Sequence, residues 1–158
     1  MSAHYDFCKA FDLRPETPAE VIDILHYMSH PSEQPRAIPN HIFFHNDSWR
    51  TMLSDVNDQR YPGVAGTIIR KAYRHTQAGT DVYRTTFCFR CTVLDDSFYE
   101  TWWLFCECIA PHVETAGWVG YYREEFKLHP TLMYFRGGKV YICEVTQSPL
   151  DIRDGQPW

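Results

Sequence analysis

The chain lacks several features that would classify it quickly. No apolar stretch approaches the roughly 18 residues of a membrane span, so no membrane partner is expected. Positive charge is in deficit: 15 Lys and Arg stand against 20 Asp and Glu, for a net charge of -5. That balance excludes bulk attraction to phosphate backbones as the main source of affinity and disfavours nucleic acid as a partner. Missing too are the GxSxG elbow, the Walker loop, the dinucleotide fingerprint and the HExxH pattern, so no cofactor is expected and no catalytic residue can be named. The opening Met1-Ser2-Ala3-His4-Tyr5-Asp6 has no basic region leading into an apolar core, which predicts a cytoplasmic protein.

What the chain has in quantity is aromatic side chains, 16% of 158 residues, with 10 Tyr, 10 Phe and 5 Trp. Rings left over after a core is filled tend to mark contact surfaces. The six cysteines fall mostly inside apolar strand or helix patterns, which predicts buried free thiols rather than disulfides. Cys88 and Cys91 have CxxC spacing, but on a strand residues three apart point to opposite faces. Cys106 and Cys108 on a helix lie roughly 200 degrees apart, so neither pair is arranged to chelate zinc.

A first strand is predicted around Tyr5 to Leu13, with Tyr5, Phe7, Phe11 and Leu13 on one side and Lys9 the exception to the alternation. Thr17-Pro18-Ala19-Glu20 reads as a capping box opening a helix over 18–29, with Val21, Ile24, Leu25 and Met28 as its core stripe. Pro31, Pro35 and Pro39 then predict a long loop, anchored by Ile42-Phe43-Phe44. Strands follow over 67–75 and 82–94. In the second of these Tyr83, Phe87, Phe89, Cys91 and Val93 share one face, and Arg84, Thr86, Cys88, Arg90 and Thr92 share the other. A second helix over 97–110 aligns Phe98, Trp102, Phe105 and Ile109 and stops near Pro111. Three strands close the pattern, over 117–126, 131–136 and 139–146, the last two joined by Gly137-Gly138 in a tight hairpin. A further strand at 52–56 would nearly complete a duplication.

The chain is therefore expected to form one α+β domain over 1–146, with a polar tail over 147–158. Its mostly antiparallel sheet should carry both helices on one face, either ferredoxin-like or as two βαββ units. The leading functional expectation is a small non-catalytic binding module, of the inhibitor, immunity or adaptor kind. It would meet a protein partner through an aromatic patch and an acidic surface. Trp103 and Leu104, off the helix stripe, and Tyr121, Tyr122 and Arg123, where one of two adjacent tyrosines must leave the core, are the expected contact residues. The alternative is a small-molecule partner or substrate, in a pocket between the sheet and the 30–66 loop, contacted by Arg50, Asp55, Tyr61 and Arg123. Asp23, His26 and His30 share a helix side and are weighed as ligands for a divalent metal, but a solvated face is preferred and no metal is expected. Adjacent Glu124 and Glu125 on a strand face opposite sides and make a poor acid–base pair. RNA ranks last, because no ring accompanies Arg84 and Arg90 on their strand face.

Overall fold

The computed structural model describes residues 4–31, 34–50, 52–53, 66–74, 81–94 and 98–145. Strands β1 (His4–Leu13), β2 (Gly66–Arg74), β3 (Asp81–Leu94), β4 (Gly117–Glu124), β5 (Thr131–Arg136) and β6 (Lys139–Glu144) form a sheet of order β2-β3-β1-β4-β5-β6. Every neighbouring pair is antiparallel. Helix α1 (Ala19–Ser29) follows β1; α2 (Leu104–Ile109) lies between β3 and β4. This is an α+β fold with a six-stranded antiparallel sheet and two helices.

Alternation decides which face is covered. Phe7, Phe11 and Leu13 of β1, Phe87, Phe89 and Cys91 of β3, and Met133 and Phe135 of β5 are buried with Val21, Ile24, Leu25 and Met28 of α1 and Phe105, Cys106 and Ile109 of α2. Ring packing holds this layer together. Phe7 stacks on Trp102 at 4.7 Å between centroids, and Phe11 lies 5.5 Å from Phe135 and 5.7 Å from Phe87. Such pairs add about 0.5–1.5 kcal/mol each beyond the area they bury.

Several local expectations are corrected. Thr17 does not cap α1: Pro18 holds the cap position with extended ψ of 142° and there is no side-chain cap hydrogen bond. The Thr17 hydroxyl instead donates to the His112 carbonyl at 3.2 Å, tying the start of α1 to the segment after α2. Tyr27, outside the predicted stripe, is buried against Trp49, 5.7 Å away. In the Pro-rich segment Phe43 and Trp49 are the buried anchors, carried by 3-10 turns at Ile42–His45 and Asp47–Arg50, whereas Ile42 is exposed. Met52 and Leu53 stand in a turn, and the rest of the candidate strand at 52–56 lies outside the described residues, as does all of the tail over 147–158.

The second helix is not one regular α-helix. Phe98–Trp103 make a π-helical turn, Leu104–Ile109 an α-helical turn and a half, and Ala110–His112 a 3-10 turn opened around Pro111. Trp102, Phe105 and Ile109 of the expected stripe are nevertheless all buried in the core. Trp103 and Leu104, off that stripe, pack half-buried against the core.

Candidate functional site: the uncovered sheet face

Among the described residues no helix lies on the second face of the sheet, which presents Asp6, Cys8, Ala10 and Asp12 of β1 and Arg84, Thr86, Cys88, Arg90 and Thr92 of β3. Its centre is a charge ladder. Asp6 accepts from Arg123 of β4 and from Thr92, both at 3.3 Å, and Asp12 accepts from Arg84 at 3.4 Å and from the Thr86 hydroxyl. These cross-strand pairs cancel charge and fix register, each contributing on the order of 0.2–1 kcal/mol.

Towards β6 the face becomes aromatic. Trp118 of β4 pairs directly with Tyr134 of β5, and Tyr134 with Tyr141 of β6, so one ladder row carries three rings. The adjoining row runs Arg90, Cys8, Tyr121, Leu132, Cys143 across five strands. Trp118 is 57% and Tyr141 49% exposed. Arg136 and Lys139 face each other across the hairpin and line, with Tyr134 and Tyr141, a broad depression at this end. Arg136 and Lys139 are exposed cations beside exposed rings.

A backbone irregularity creates this row. Pairing of β4 with β5 shifts between Trp118 and Gly120. Without it, Trp118 and Tyr121, three residues apart, would face opposite ways. The bulge is possible because Gly120 sits at φ +147° against β1, where a Cβ would meet the Cys8 carbonyl oxygen at 2.0 Å.

The five residues expected to form the contact patch are separated by this geometry. Tyr121 and Arg123 stand on the uncovered face, the latter engaged with Asp6. Tyr122 is on the covered face, half-buried, 5.7 Å from Phe7 and 6.2 Å from Tyr5. Trp103 and Leu104 lie in the helical layer, and the Trp103 indole donates to Glu107 at 3.0 Å. Sequence reasoning missed Trp118 as an exposed ring together with Tyr134 and Tyr141. The hairpin was the available signal, since a two-residue Gly137-Gly138 loop pairs Arg136 with Lys139 and hence Tyr134 with Tyr141. The ranking of RNA rested on the lack of a ring on the Arg84 and Arg90 face, yet four aromatic side chains share that face at its other end.

On the covered side, a cavity of about 240 Å³ lies between the two helices and the segment around Pro39–Phe44. Ile24, Met28, Phe43 and Phe105 make it apolar; His41, Cys108 and His112 give it polar edges. The His41 Nδ1 accepts from the Phe43 backbone at 3.2 Å, which fixes that ring. Burial pushes the Cys108 thiol up to about 11, so it stays protonated at neutral pH and is a poor nucleophile. Burial also lowers the His112 pKa, helped by Arg14 and opposed by Glu20. This cavity lies between helices and loop, not between sheet and loop. Arg50 is not in it: its guanidinium donates to Asp47 at 2.8 Å and lies over the Trp49 ring at 4.6 Å. Asp55 and Tyr61 lie outside the described residues.

Asp23, His26 and His30 line a separate groove, but Arg36 bridges Asp23 at 3.3 Å and repels a cation there. Among the described residues no cluster of three or more His, Cys, Asp or Glu is placed to hold a metal. All six cysteines are free thiols. Among the described residues no helix is long and apolar enough to cross a membrane. Fold and faces together define an α+β protein with one face of its sheet packed and, among the described residues, no helix on the other. No family model, curated protein or solved structure matches the chain.

Proposed function

We propose that the chain is a small non-catalytic binding module, of the inhibitor, immunity or adaptor kind, that holds a protein partner on its uncovered sheet face. The observation that carries this reading is the Trp118, Tyr134, Tyr141 row beside Arg136 and Lys139. Trp, Tyr and Arg dominate the energetics of protein interfaces, and rings mounted on strands lose little freedom on binding. The partner segment that suits this surface is apolar with carboxylates, since the accessible charges at this end are cationic. A net charge of -5 favours such a protein over a nucleic acid. Tyr121 and Arg123 belong to this surface; Trp103, Leu104 and Tyr122 are packing residues in this reading.

The test is a photo-crosslinking amino acid placed at 118 or 141 in cells of the source, with exposed Ala10 as the control position. A protein adduct shared by 118 and 141, and lost with Tyr134→Ala, is expected. Adducts only to nucleic acid, or equal adducts at Ala10, would overturn the reading.

A second reading, an apolar small molecule in the helix–loop cavity, is favoured by its 240 Å³ and by its apolar lining. This is slightly below the range usual for ligand sites. A ligand panel scored by thermal shift, repeated on Met28→Trp to fill the space, separates the two.

For the architecture, we infer a ferredoxin-like split βαβ core. In support, α1 connects β1 to β2, which flank β3, and α2 connects β3 to β4, which flank β1. Strands β5 and β6 extend the sheet beyond such a core, and they carry two of the three rings of the proposed docking row.

A further inference from the structure

We propose that Lys9 and Cys106 form an oxidation site, at which an oxidant of the hydroperoxide class joins their side chains through one oxygen atom as an N–O–S bridge. Lys9 breaks the apolar pattern of β1 and still points into the core, 2% exposed. Its neighbours across the ladder are Phe89 on β3 and Gly120 on β4, so the strand cannot turn it outwards. The ammonium reaches α2, where Nζ lies 2.5 Å from the Sγ of Cys106, itself 1% exposed. That spacing is the span of two single bonds meeting at one oxygen, and is shorter than unbonded nitrogen and sulfur normally keep. Nζ also lies 5.4 Å from the centroid of the Phe7 ring. Among the described residues no carboxylate pairs with Lys9, so a buried cation is balanced only by a thiol and a ring face.

This arrangement gives the bridge a driving force. Burying an ammonium without an ionic partner costs several kcal/mol, whereas the bridged product is uncharged. The chemistry balances with two hydrogen peroxide molecules. The ammonium, the thiol and two peroxides give the N–O–S link, three waters and one proton. Nitrogen and sulfur are each oxidised by two electrons, and the two O–O bonds accept the four. One N–O and one O–S bond form; the S–H bond and two N–H bonds break. The sulfur enters on the ordinary oxidation ladder of cysteine, and the adjacent amine diverts it from the sulfinic state. The product staples β1 to α2 across the packed layer. Dithiol reductants reverse it, returning water, amine and thiol.

The experiment treats the full chain with hydrogen peroxide, blocks remaining thiols, digests without reduction and maps linked peptides by mass. A peptide pair joining Lys9 to Cys106, with one oxygen gained and two hydrogens lost (about +14 Da), is expected and should vanish after dithiothreitol. Oxidised wild type should also melt higher than reduced protein, with the difference absent in Lys9→Met and in Cys106→Ala. The peptide mapping needs no variant, so misfolding of either does not affect it. Cys106 recovered as a blocked free thiol, a sulfinic acid or a disulfide would overturn the proposal. So would a direct N–S link without oxygen.

Discussion

Replacing Gly120 by alanine tests the bulge that sets the uncovered face. Two costs apply. The backbone at φ +147° is a conformation that side-chain-bearing residues rarely adopt, which costs about 1–3 kcal/mol. In addition the new Cβ would lie 2.0 Å from the Cys8 carbonyl oxygen and 2.8 Å from the Lys9 Cα, both backbone atoms of the central strand. Relief requires β4 to move away from β1, weakening ladder hydrogen bonds worth about 0.5–1.5 kcal/mol each. The expected total is about 3–5 kcal/mol, lowering the melting temperature by roughly 10 °C. Gly117→Ala is the matched control, because it too has positive φ, +124°, but no atom within 4 Å of its Cβ. It should lose only the backbone part, about 1–3 kcal/mol. Urea denaturation followed by tryptophan fluorescence measures both. Equal losses in the two variants would refute the close approach of β4 to β1.

Four further expectations follow from the same structure. Lys9→Met removes a buried ammonium while keeping its volume and should stabilise the reduced protein by about 1–4 kcal/mol in urea; a loss above about 1 kcal/mol would mean that the thiol and ring contacts outweigh desolvation. The Cys108 thiol titrates near 9.0 when unfolded and about 11 when folded, so the native state holds its proton longer and stability should fall as pH rises across that interval. Cys108→Ala should flatten this part of the profile. His112, lowered by burial, is the opposite case: the unfolded chain binds the proton more tightly, so stability should decline as pH drops below about 6.5, and a profile unchanged in His112→Gln would refute its role. Thiol-reactive dye on the native protein should label exposed Cys143 first and buried Cys91 and Cys106 only on unfolding; early labelling of Cys106 would contradict its place in the core.

The two faces of β1 and β3 were legible because period-2 alternation is a local property, and Phe7, Phe11, Phe87 and Phe89 obey it. The Gly137-Gly138 hairpin was legible for a similar reason: both glycines adopt positive φ, 56° and 72°. Lys9 was visible as an anomaly, but its partner, 97 residues away, was not. The buried stripe of Trp102, Phe105 and Ile109 was legible although a π turn opens the helix, and Trp103 and Leu104 beside it are half-buried. The surface row of Trp118, Tyr134 and Tyr141 depends on a one-residue shift in β4. Alternation alone divides Trp118 from Tyr121, and only the cramped meeting of Gly120 with β1 reunites them.

The position of β1 has a consequence for how the chain reaches this state. It is the middle rail of the sheet, yet its side-chain bonds run to residues 86 and 117 positions later. A ribosome adding roughly 5–20 residues per second leaves this segment waiting several seconds for either neighbour. During that delay Phe7, Phe11 and Leu13 have only α1 and the segment carrying Phe43 and Trp49 from their eventual core to shelter them. Such long closures also slow refolding in dilute solution relative to helical bundles of equal size. The strand made first thus stays unpaired until most of the chain is made, and crowded or overheated cells meet the molecule first as an unclosed strand.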